Sequence, residues 1–147
     1  MRFFLFYMFC FSVIGCVNNK VSATYRNLNS NDKFDKINFK TIKKDPTKYQ
    51  SQNIELIGFY KHSFEESALY PSEFNNDSKR AIWINFHKEL PLTNSLTGIN
   101  LFDSYKEVEK ISNRRIRIRG KFNMNLKGHL DSYFGELDNV VSIEVFD

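Results

Sequence analysis

Alternation of apolar and polar positions is the clearest pattern along the chain. Arg115-Ile116-Arg117-Ile118-Arg119-Gly120-Lys121-Phe122 alternates strictly, which is the period-two signature of a half-buried strand. Ile54-Glu55-Leu56-Ile57-Gly58-Phe59-Tyr60 and Ala81-Ile82-Trp83-Ile84-Asn85-Phe86 are short runs of β-branched and aromatic residues and predict two more strands. Phe134 to Phe146 supplies one or two further strands around a turn at Asp138-Asn139. Tyr105, Val108 and Ile111, spaced by three, predict a helical turn or two before the arginine-rich strand. Phe34, Ile37 and Ile42 set among lysines predict a short amphipathic helix that ends before Pro46. Two of the strands carry an interior glycine, Gly58 and Gly120, which lets a strand bend sharply. Together these elements predict an all-β class with a short helix, closed into a small five-stranded barrel.

Upstream the pattern is different. Met1 and Arg2 precede an almost unbroken apolar run from Phe3 to Ile14, ended by Asn18, Asn19 and Lys20. A charged start and about a dozen apolar residues have the build of a secretory signal peptide. The run falls short of the roughly 17–25 residues that a membrane span needs. Val13-Ile14-Gly15-Cys16 at its end resembles the lipobox of bacterial lipoproteins. There, small residues fit the peptidase pocket before the cut, and the Cys thiolate accepts a diacylglycerol. The resemblance implies removal of residues 1–15, lipidation of Cys16, and acyl chains, palmitate among them, that hold the domain on a membrane. Cys10 would leave with the signal, so the mature chain would have neither a free thiol nor a disulfide. Val17 stands where inner-membrane retention would resemble Asp, which points to the outer membrane, facing the periplasm or the surface. From Val17 to about Asp32 the chain is rich in Asn and Ser and poor in large apolar groups, a composition that favours a solvated linker. Residues 16–33 therefore read as a lipidated Cys and flexible tether, and residues 34–147 as the barrel domain.

Composition narrows the class. A chain of 147 residues makes one domain with a tail, not two. With 41% apolar and 16% aromatic residues it can build a core, and only two Cys exclude a disulfide-dense mini-protein or a four-Cys zinc ribbon. The net charge of +4 arises from 21 basic and 17 acidic residues, a mixed surface and not a polycation.

Asp45-Pro46-Thr47-Lys48-Tyr49, Leu69-Tyr70-Pro71-Ser72-Glu73, Ala81-Ile82-Trp83-Ile84, Gly128-His129 and Tyr133-Phe134-Gly135 follow one another, with the strands above, in an order that resembles a largely uncharacterised family of small exported bacterial proteins. The similarity spans about residues 40 to 146, and it implies an OB-fold-like barrel and no reaction.

Candidate chemistry is sparse. Arg115, Arg117, Arg119 and Lys121 fall on one face of their strand because side chains alternate. OB-type barrels bind single strands on basic faces set with aromatics, and Tyr60, Trp83 and Tyr133 could supply the rings. The competing reading is a solvated face whose cations guard the sheet against pairing with other chains. An exported lipoprotein meets an envelope protein, an anionic glycan or lipid far more often than nucleic acid. His129, beside Gly128 and near Asp131 and Tyr133, could act as a general base with Asp131 or Glu66 in an envelope hydrolase. Glu65, Glu66 and Glu73 otherwise read as a solvated loop on which Leu69 and Tyr70 pack. His62, His87 and His129 lack the close two-ligand spacing of a metal site. There is no GxSxG, no glycine-rich phosphate loop followed by Lys and no HExxH, so the sequence names no cofactor and no reaction, and a binding or interaction module is the favoured expectation.

Overall fold

The structure, a computed structural model, describes residues 20–27 and 32–147. The predicted signal peptide, its cleavage site and Cys16 lie outside the described residues. In chain order the strands are β1 (Val21–Arg26), β2 (Asp35–Lys36), β3 (Asn53–Ser63), β4 (Glu66–Tyr70), β5 (Ile82–Ile84), β6 (Thr93–Asn94), β7 (Arg114–Asn123) and β8 (Gly135–Phe146). The helices are α1 (Phe39–Lys44), α2 (Pro46–Tyr49) and α3 (Tyr105–Glu109).

Five strands close the barrel. β3 pairs antiparallel with β4, β4 with β5, β5 runs parallel to β8, β8 is antiparallel to β7, and β7 returns to β3. This closed circuit, with α3 set between β5 and β7, is the small OB-like all-β barrel that the strand periodicity predicts. Its interior is one cluster in which Ile54, Leu56, Leu69, Ile82, Ile116, Ile118, Phe122 and Leu137 are fully buried. The alternating β7 sends Ile116, Ile118 and Phe122 inward and its cations outward. Two backbones approach closely where the strands bend. A Cβ on Gly58 would lie 2.5 Å from the Tyr70 carbonyl oxygen, and one on Gly120 would lie 2.7 Å from that of Asp138. Only glycine fits such contacts.

Several expectations change. Residues 21–26, read as tether, form β1, which pairs with β8 from Val21↔Phe146 to Arg26↔Ser142 and with β6 at Tyr25↔Asn94. The described fold therefore takes in residues 20–27, upstream of the expected boundary at residue 34. The Glu66–Tyr70 segment, read as a loop packed on the barrel, is the second barrel strand, β4. Pro46 does not simply end a helix. It opens α2 at its first position, where its missing N–H costs nothing, and Asp45 caps that helix by accepting from the Lys48 N–H. The turn expected at Asp138-Asn139 is a bulge inside one continuous strand: the β7–β8 register shifts between Arg119 and Lys121, and Asn139 takes φ 47.

β1 is held by more than its backbone. Tyr25 is 1% exposed and its hydroxyl donates to the Glu107 carboxylate of α3 at 3.4 Å. Tyr25→Ala is expected to lower unfolding free energy by about 3–5 kcal/mol in a urea titration, the cost of deleting a buried aromatic ring. A change within about 0.5 kcal/mol would mean that the segment lies outside the cooperative fold.

Candidate functional site

The outward face of β7 is an ion-pair ladder. Glu55 on β3 and Glu144 on β8 flank the arginines, in register with Arg119 and Arg117 respectively. Arg119 Nε donates to Glu55 Oε2 at 2.7 Å, and its Nη2 lies 3.6 Å from Glu144. Arg117 bonds Glu144 through Nη1, and its Nε lies 3.4 Å from Glu55. The two carboxylates are almost fully buried beneath the guanidinium groups. Arg115 and Arg117 also sit over the Phe146 ring, 5.4 and 5.1 Å from its centroid. Arg114 is tied to Asp147 at 3.0 Å and to the Phe146 carbonyl. Two of the four cations of the stripe visible in the sequence, Arg117 and Arg119, are thus neutralised by acids on the neighbouring strands. Lys121 stands apart, exposed at the rim of a surface cavity of about 480 Å³ with Phe34, Asn53 and Leu90.

The three aromatics proposed for this face do not join it. Tyr60 is buried in the barrel interior, its hydroxyl 3.1 Å from Ser67 Oγ, and burial pushes its phenol far above the usual range. Trp83 and Tyr133 belong instead to a second cluster on the outer face of β4 and β5, with Tyr70, Ala68 and Ala81. Trp83 faces Ala68 across the β4–β5 pair, and its ring lies 5.1 Å from Tyr133 and 6.5 Å from His129. Gly128 is seated on the indole: its φ is 61°, and a Cβ there would lie 2.3 Å from the Trp83 ring. The indole therefore fastens the β7–β8 loop to the barrel, and its face is not free for a ligand. Tyr70 donates to Glu66 at 2.7 Å and hydrogen-bonds Tyr133, and burial beside that carboxylate raises both phenols.

His129 meets neither of its expected carboxylates. Glu66 is engaged by Tyr70 and Ser63. Asp131 lies beyond the turn, lining a cavity with Lys79 and Tyr133. The partner is Glu65, 3.6 Å from His129 Nε2, with the Glu65 side chain exposed and that of His129 partly so. The other histidines are spread out: His62 packs against Tyr105, and His87 bonds Asp138. No cluster of three metal-ligating side chains occurs among the described residues.

The Glu65–His129 contact joins two loops, the β3–β4 hairpin and the β7–β8 loop, at the edge of the β4–β5 face. In OB-type barrels these two loops and this face are where oligonucleotides and oligosaccharides bind. Here the loops hold Glu65, Gly128, Leu130 and Asp131 at φ between 53 and 61°. For the bulky Leu130 this left-handed backbone is strained, and strain of that kind gathers at binding sites. The same two loops expose Phe64 to 90% and Leu130 to 81%. The rim thus offers two apolar side chains, that of Leu130 on a loop seated on Trp83 through Gly128. Sequence reasoning singled out His129 and Trp83 but missed Phe64 and Leu130, because an isolated apolar residue in a loop carries no sequence signal of its exposure. Matched against protein-family models, curated proteins and solved structures, the chain shows no match.

Next to this rim, Glu136 accepts from Asn85 Nδ2 at 3.0 Å and from the Gly128 N–H, with Asp138 and His87 nearby. Burial first, and then Asp138, hold its carboxyl above the usual range. A carboxyl raised on folding stabilises the fold while it is protonated, and that contribution is lost as pH rises through the elevated value. Glu136→Gln should therefore match the wild type at about pH 4 and gain on it progressively toward about pH 7, as read by urea midpoints. For the ladder, Glu55→Ala is expected to cost about 1–3 kcal/mol by stranding Arg117 and Arg119. Lys121→Ala should stay within about 0.5 kcal/mol of the wild type in the same assay.

Proposed function

We propose that this chain is a bacterial envelope lipoprotein, anchored through Cys16, whose OB-like barrel is a binding module for another envelope protein. The anchor is supported by the apolar run closed by Gly15-Cys16. The binding role is carried by one observation: Phe64 and Leu130 stand exposed on two touching, strained loops over the β4–β5 face. Aromatic side chains such as that of Phe64 are enriched at the cores of protein interfaces. The outer membrane is the compartment this reading favours, on the strength of Val17 after the lipidated residue. The closed barrel agrees with the fold implied by the resemblance to small exported bacterial proteins.

Single-stranded nucleic acid fits the face poorly. Glu66, Glu136 and Asp138 lie on it or beside it, and Arg117 and Arg119 are already paired with Glu55 and Glu144. A hydrolase built on His129 would have to work from an open Glu65–His129 pair at the rim.

Two measurements test the reading. Cys16→Ala should move the protein from the membrane fraction to the soluble fraction and remove the acyl mass from the N-terminus. A variant that still sediments with membranes would refute the anchor. A photo-crosslinking residue at Phe64 should give a discrete protein adduct in intact envelopes that Leu130→Ser abolishes, whereas the same crosslinker at Lys121 should not. Equal adducts from both positions would remove the rim as the binding surface.

A further inference from the structure

The short link between Cys16 and β1 fixes how the domain sits on the membrane. This inference rests on the anchor proposed above. Lys20 is already part of the fold, because its carbonyl accepts from the Asp147 N–H at 3.0 Å, and Val21 pairs with Phe146. Only Val17, Asn18 and Asn19 lie between the acylated residue and Lys20. Fully extended, the step from Cys16 to Lys20 covers at most about 14 Å. A lipidated chain therefore cannot hold the barrel far from the headgroups, and the end of the sheet that carries Lys20 must lie nearest to them.

The pairing defines that end. Lys20 lies beside Asp147, Asp147 is bridged to Arg114, and Arg114 stands opposite Tyr60 at the start of the β3–β7 ladder. Arg115 follows over the Phe146 ring. Three cations and one acid thus edge the sheet here, with Val21, 40% exposed, set among them. Cations around an exposed apolar residue suit the boundary between anionic headgroups and acyl chains. The far end of β7, at Lys121, is seven residues away, roughly 23 Å along the strand.

We propose that the strand-end surface of Lys20, Val21, Arg114 and Arg115 docks on phospholipid headgroups, with anionic lipid preferred, so that the barrel stands on the bilayer by this edge and does not swing on a tether.

The test uses the full lipidated protein in vesicles of phosphatidylethanolamine and phosphatidylglycerol with brominated acyl chains. The mature chain would have no free thiol, so Ser22→Cys and Lys121→Cys each give a single site for an environment-sensitive fluorophore. The fluorophore at position 22 should lose much of its emission to the bromines and shift to the blue, while that at position 121 stays unchanged. Replacing phosphatidylglycerol by phosphatidylcholine should weaken the quenching at position 22, and a Gly/Ser insertion between Asn19 and Lys20 should reduce it further. If the acylated protein floats with vesicles but positions 22 and 121 are quenched alike, or neither is, the docking is refuted and the anchor stands. If no acyl mass is found on Cys16 and the protein does not float, the anchor falls, and this inference falls with it.

Discussion

Everything in this structure hangs on the two edges of β8. A strand must satisfy its backbone N–H and C=O groups on both sides when it is buried, and β8 is twelve residues long. β7 takes one edge along almost the whole length. The other edge is divided: β5 takes residues 135–137 in parallel, and β1 takes residues 142–146 antiparallel. Without β5 there is no barrel. Without β1 the second half of β8, including Ile143 and Val145, would present an open apolar edge, the kind that recruits other chains. The bulge at Asn139 separates the two halves and lets one strand serve both partners.

The ladder on the outer face extends the same constraint to side chains. Glu55, Arg117, Arg119 and Glu144 stitch β3, β7 and β8 together above a full core. Ion pairs of this kind give modest net stability, yet removing one partner is costly because the other charge stays buried. The arrangement tells against reading Arg117 and Arg119 as a docking surface in their own right. Their charge is committed to the fold, and the chemistry left for recognition lies at loop tips and strand ends.

Much of this was legible in the sequence, and the failures have physical causes. Strict alternation identified β7, the apolar runs identified β3 and β5, and the glycines at Gly58 and Gly120 marked the bends. β1 escaped because Val-Ser-Ala-Thr-Tyr has one large side chain and a polar neighbourhood; its order comes from the β8 edge, not from local preference. β4 escaped because both of its faces are covered, Leu69 by the barrel interior and Ala68 and Tyr70 by the outer aromatic cluster, so no alternation shows. The arginine face was placed correctly, but its neutralisation depends on register: Glu55 lies 64 residues from Arg119 in the chain. The histidine was found with the wrong acids, since a hairpin turn, and not proximity in sequence, brings Glu65 to His129.

The pairing of Val21 with Phe146 also says when the molecule can fold. β1 and β8, the first and last strands among the described residues, are hydrogen-bonded neighbours, so β1 cannot be covered until residues 142–146 have been made. Contacts of such long sequence separation form late and slowly. A chain emerging N-terminus first lacks the partner for β1 until β8 has been made. The strand made first is thus among the last to find its place, and its order is a property of the finished sheet and not of its own sequence.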